Sequence, residues 1–169
     1  KTKIIDWDFV DTCWEKESRE YQYVAANYLK AMQSYLKDSD LPKLEQLVVT
    51  KSWWDTVDIL DRVVGSLVYE KQELEKIILQ WSLSDNIWLR RVAIDHQLLR
   101  KEKTNVQLLE KILLHNLNQT EFFINKAIGW ALRDYSKTNP AWVACFIEKN
   151  KERMAELSIK EASKYLSHH

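Results

Sequence analysis

The sequence predicts an all-α chain, a superhelical solenoid of stacked helical hairpins, and three observations lead there. Gly and Pro occur only twice each in 169 residues, too few for the turns that a sheet protein of this size needs. Apolar residues recur three and four apart almost throughout, the period of one buried helical face. The longer periodic segments begin near residues 19, 53, 86, 121 and 153, and a shorter one precedes each. A repeat of about 33 residues is the signature of HEAT-like, armadillo and tetratricopeptide arrays, in which each hairpin buries its apolar face only against its neighbours.

Taken in order, helices are expected near 4–15, 18–37, 41–50, 53–69, 71–83, 86–102, 105–117, 121–137, 139–150 and 153–166. Ser18, Asp40, Ser52, Ser84 or Asp85, and Thr120 are candidate caps, each placed before a periodic apolar segment. Pro140 fits the first turn of its helix, where a missing N–H costs nothing. The second helix of each pair is the longer and more charged, and is expected to line the concave surface. One domain is expected over residues 1–167. His168 and His169 read as a tag remnant. The chain opens at Lys1 without Met and already within a helical pattern, so N-terminal helices are expected to be missing.

Composition narrows the function. An apolar content of 46% supports a packed core and excludes wholesale disorder. Formal net charge is zero, from 25 basic and 25 acidic residues, which argues against a strongly basic nucleic-acid tail but leaves room for a local basic groove. Cys13 and Cys145 are too few and too isolated for a disulfide framework or a metal site, and they fit a reducing, cytoplasmic setting. No apolar run approaches the roughly 20 residues of a membrane span. His96 and His115 have no metal-ligand spacing with other donors, and no Gly-rich phosphate loop or nucleophile elbow occurs. Neither a metal nor a cofactor is expected. Eight tryptophans exceed what a helical core requires; Trp7, Trp14, Trp81 and Trp142 fall at apolar-stripe positions.

Three segments carry candidate chemistry. In Lys51–Asp58, Trp54 and Asp58 lie four apart and share a helical face. An indole beside a carboxylate offers a π-face and a negative charge to a cationic centre. The competing reading places Trp54 in the core and pairs Asp58 with Arg62 one turn on. In Trp88–Ala93, Arg91 projects from the apolar stripe; its forked donors suit a phosphate, and a pair with Asp95 is the alternative. In the third segment Lys126, Trp130, Arg133 and Lys137 form a basic stripe around an indole, as a nucleic-acid groove would need, or as a solvated face around a half-buried Trp would also present. Gly129 beside Trp130 leaves room for close approach.

Together these segments resemble the AlkD family of bacterial DNA alkylation-repair glycosylases. The likeness runs from about Glu20-Tyr21-Gln22-Tyr23-Val24-Ala25 to the helices near Tyr165. Its motifs are Thr50-Lys51-Ser52-Trp53-Trp54-Asp55-Thr56-Val57-Asp58, then Trp88-Leu89-Arg90-Arg91-Val92-Ala93-Ile94, then Lys126-Ala127-Ile128-Gly129-Trp130-Ala131-Leu132-Arg133-Asp134-Tyr135-Ser136-Lys137. The resemblance implies DNA held in the concave groove and excision of positively charged N3- or N7-alkylated purines, without flipping the base into a pocket. It places the family's catalytic Trp and Asp on Trp54 and Asp58, its second active-site Trp on Trp130, and its phosphate-contacting Arg on Arg91. Lys51, Lys126, Arg133 and Lys137 would add backbone contacts. The implied partner is duplex DNA carrying alkylated purines, met by a monomer in the cytoplasm at the nucleoid, with no membrane involved. Two other functions fit a helical array: a non-catalytic scaffold that binds protein, and a relative that binds damaged or branched DNA without excision.

Overall fold

The computed structural model describes residues 4–166, so the suggested tag remnant, His168 and His169, lies outside the described residues, as do both ends of the expected domain. Among the described residues ten α-helices follow one another: α1 Trp7–Glu15, α2 Arg19–Ala31, α3 Leu41–Val48, α4 Trp54–Val68, α5 Gln72–Trp81, α6 Ile87–Asp95, α7 Val106–His115, α8 Phe122–Ser136, α9 Pro140–Asn150 and α10 Glu156–Ala162. Among the described residues no strand occurs and no helix is long and apolar enough to cross a membrane.

Side chains that satisfy the first free backbone donors fix four of the starts. Asp6, Asn86, Asn105 and Asn139 accept from the opening turns of α1, α6, α7 and α9, and Pro140 sits at the first turn of α9. The expected caps fare unevenly. Ser18 and Asp40 occupy cap positions without a capping hydrogen bond. Ser52, Ser84, Asp85 and Thr120 are displaced as caps by Trp53, Asn86 and Glu121.

The second helices α2, α4, α6, α8 and α10 pack successively on one another, while the first helices touch their own neighbours only sparsely. A two-layer array packed this way curves toward the tighter layer, so the second helices line the inner face. Between the layers lies a continuous apolar core that includes Leu29, Leu44, Leu60, Val64, Ile78, Val92, Ile112, Ile128 and Leu132. Trp14 and Trp81 are buried in it, and Trp7 and Trp142 pack against its edge.

Second helices are not uniformly the longer ones, because α6 stops at Asp95 and α10 spans only Glu156–Ala162. The break after α6 has a local cause. The His96 ring turns back to the Ala93 carbonyl (Nδ1···O 2.7 Å), Leu99 and Lys101 take positive φ of 71° and 55°, and the Leu99 amide donates to Asp134 of α8 at 2.9 Å. Both glycines serve helix packing. A Cβ on Gly65 would lie 2.0 Å from the His96 carbonyl oxygen, so α4 and α6 cross there at backbone contact. Gly129 faces Glu161 and Ser158 of α10 rather than open space, which corrects the expectation that it makes room for a nucleic acid.

Candidate functional site

Asp58 emerges one turn into α4, four residues after Trp54 at the helix start. Its partner comes from the next repeat: Arg91 of α6 donates Nε to Oδ1 and Nη2 to Oδ2, both at 2.9 Å. The third arm of the guanidinium, Nη1, donates to the Phe123 carbonyl at 2.6 Å. The guanidinium also lies 5.4 Å from the Trp130 ring centre and 5.7 Å from that of Phe123. Asp58 and Trp130, on α4 and α8, are therefore brought to one place by an arginine between them. Trp54, half exposed at 49%, stands over the same face of α4 one turn away.

This geometry decides two open readings. Arg62 does not take Asp58 but lies 3.7 Å from Asp61, and Trp54 is not a core residue. Arg91, expected as a phosphate contact, is occupied within the protein in this structure. Arg91 is only 2% exposed, and its donors are directed at Asp58 and at a backbone carbonyl. Burial works against its charge, yet the hydrogen bond to Asp58 and the nearby carboxyls more than offset this and raise its pKa.

The basic stripe of α8 is present on the inner face but is partly neutralised. Glu161 of α10 pairs with Arg133 and stands 4.0 Å from Lys126, whose ammonium lies 5.9 Å from the Trp130 ring centre. Arg133 also donates to the Tyr165 hydroxyl at 3.2 Å. Exposed Lys137 rests over the Tyr165 ring. Lys51, at φ 55° in the turn before α4, is exposed and bonds the Lys16 carbonyl at 2.7 Å. Beside Trp130 opens a cavity of about 390 Å³ bordered by Arg62, Leu98, Leu99, Arg133 and Lys137. Its polar lining is mainly cationic, which suits a phosphodiester better than a cationic base.

Several residues around the site escape a reading by local spacing. Trp53, Trp88 and Phe123 form an aromatic cluster at the starts of α4, α6 and α8, with ring centres 5.0–5.8 Å apart. They recur twice at the same 35-residue step, a repeat-register signal that could have found them. Asp55 is held by Arg19 (2.6 and 3.1 Å) and by the Tyr23 hydroxyl (2.6 Å) of α2. The Arg19 hydrogen bond draws its pKa down. Asp61 and Asp95 are buried at 1% exposure each. Together with Asp58 they offer oxygens within 4.8 Å of one another, a metal-like grouping. Its local cations are Arg91, which takes both oxygens of Asp58, and Arg62, 3.7 Å from Asp61. Burial raises the pKa of both Asp61 and Asp95 well above the usual carboxyl range, and neighbouring carboxylates push in the same direction.

Comparisons with known proteins agree with this architecture. A family model described as DNA alkylation repair enzyme matches residues 1–166. Among solved structures, a predicted DNA alkylation repair enzyme from Enterococcus faecalis is 36% identical, with a TM-score of 0.88 over 96% of this chain and 76% of its own. AlkD2 from Streptococcus mutans is 18% identical with a TM-score of 0.74, covering 94% of this chain and 80% of its own, a likeness of fold. No curated protein matches.

Proposed function

The chain belongs to the DNA alkylation repair enzyme family, and from that premise we propose that it is a DNA glycosylase that removes N3- or N7-alkylated purines from duplex DNA. One observation supports this most: a carboxylate, Asp58, is fixed by two hydrogen bonds from a buried arginine at a place shared with Trp130, one turn from the exposed ring of Trp54.

An alkylated purine of this kind already carries a positive charge, so its glycosidic bond is weak. When the C1′–N bond breaks, the electron pair leaves with the base and neutralises it, and positive charge develops on the sugar. The need is electrostatic stabilisation of that oxocarbenium ion and a placed water rather than acid catalysis. Asp58 meets both needs. Each of its oxygens keeps a lone pair beyond the one given to Arg91, so one faces the sugar while the other orients water toward C1′. The water proton passes to the carboxylate and on to solvent. Trp54 and Trp130 present π-faces to the cationic centre. Arg91 is the positioning residue that holds the carboxylate still.

In the same reading the phosphodiester backbone is met by Lys51, Lys126, Arg133 and Lys137 along the inner face. Glu161 tempers two of these charges, so affinity is modest and falls as salt rises. The test is incubation of a duplex holding 7-methylguanine with the wild-type protein and with Asp58→Asn, scoring free base and abasic sites. Free base from the wild type alone is the expected result. Tight binding without excision by the wild type would instead favour a non-catalytic binder of damaged DNA.

A further inference from the structure

Behind the Asp58–Arg91 pair runs a polar seam between α4 and α6. Asp61, Asp95 and His96 are all buried to 1% exposure. Both oxygens of Asp95, Oδ1 of Asp61 and Nε2 of His96 have no hydrogen-bond partner. The groups that face the two acids are Asp58 and Arg62 on α4, Arg91 on α6 and Asp134 on α8. Among them only Arg91 is a buried cation, and its hydrogen bonds go to Asp58 and Phe123. Arg62 is half exposed and 3.7 Å from Asp61.

Two ionised carboxylates at this separation, buried and with only half-exposed Arg62 near one of them, would carry a desolvation cost of several kcal/mol together with their mutual repulsion. The array removes both most simply by keeping one proton. We propose that Asp61 and Asp95 share one proton at neutral pH, and that the single negative charge they retain is a second anchor for Arg91, making both of them positioning residues for Asp58. Asp95 stands one turn beyond Arg91 on α6, and Asp61 lies just under one turn beyond Asp58 on α4. The pair thus lies buried close to Asp58, between the two helices that carry Asp58 and Arg91. Two charges here would force the helices apart, and none would leave Asp58 as the one carboxylate holding Arg91, beside the Phe123 carbonyl.

The role in positioning rests on the glycosylase reading; the proton does not. Carbon-13 NMR of aspartate-labelled protein, with Asp61→Asn and Asp95→Asn to assign the two carboxyl signals, measures it directly. One of the two is expected to remain at the carboxylic-acid position at pH 7, and each single amide, an isostere of the acid, should abolish that signal and leave the fold intact. Finding both carboxyls ionised at pH 7 overturns the shared proton. For positioning, the double variant Asp61→Asn/Asp95→Asn should release base about ten-fold more slowly with KM within about two-fold, while one amide alone keeps most of the rate. If the double variant turns over at the wild-type rate, the pair does not position Arg91. If no variant and no wild-type protein releases base but the acid signal is present, the glycosylase reading and the positioning role built on it fail, and the shared proton stands.

Discussion

Gly65→Ala tests how the site is held, because the crossing of α4 and α6 fixes the distance between Asp58 and Arg91. An alanine methyl there would sit 2.0 Å from the His96 carbonyl oxygen and 3.0 Å from its carbon, where real Cβ contacts essentially never fall below 3.0 Å. The obstacle is backbone, so relief requires the two helices to separate by about 1 Å. Overpacking of this kind costs about 1–3 kcal/mol or more, while replacing glycine by alanine inside a helix returns only about 1 kcal/mol. Because the obstacle is backbone, the upper end of that range applies, and the net loss is about 2 kcal/mol. For a domain of this length that lowers Tm by about 4–8 °C, and base release falls further because the carboxylate is displaced. Gly129→Ala is the matched control. Its methyl meets the Glu161 Cβ at 2.7 Å and the Ser158 Cα at 3.4 Å; the Cβ is fixed to the backbone of α10, so that helix must give by a few tenths of an ångström, less than the displacement at Gly65, and the loss is correspondingly smaller. Thermal melts followed by circular dichroism measure both. A Gly65→Ala protein as stable as wild type would refute the reasoning.

Two further outcomes follow from the same structure. Burial holds His96 neutral, with a pKa lowered from 6.5 to about 3. Between those values the unfolded chain binds a proton that the folded one does not, so stability is full above about pH 6.5 and declines as pH falls toward 3, by up to about 5 kcal/mol. Urea titrations across that range should show the loss in wild type and a shallower one in His96→Gln; equal slopes would contradict it. Arg91→Met removes the cation from a buried pair and should destabilise the fold by about 3 kcal/mol. It should also cut the rate of base release while leaving the salt dependence of DNA binding unchanged. A reduced salt slope would return Arg91 to a phosphate contact.

Much of this arrangement was legible because it is local. The helical period, the 33-residue spacing and the Trp54–Asp58 pair all depend on residues within a turn or a repeat of one another. Lys126, Trp130, Arg133 and Lys137 fall on one face for the same reason. What escaped was decided between repeats. Asp58 has a potential partner four residues on in Arg62, and nothing in local spacing says that it prefers Arg91, 33 positions away. Glu161 sits on the last helix and reads as a solvated acid until α10 packs on α8 and brings it to Arg133. Asp61 shares a face of α4 with Val57 and Val64, yet an aspartate there reads as exposed, since burial of an acid is costly. The early end of α6 was hidden because Leu98 and Leu99 continue the apolar pattern into a turn, leaving Leu99 exposed.

The most direct measurement is the single-turnover rate at which the protein liberates 7-methylguanine from a duplex, compared between wild type and Asp58→Asn at equal occupancy of DNA. The asparagine variant should bind with similar affinity and react about 10²–10³-fold more slowly, the loss typical of removing one transition-state electrostatic contact. Equal rates in the two proteins would contradict the assignment of Asp58 as the group that stabilises the sugar cation.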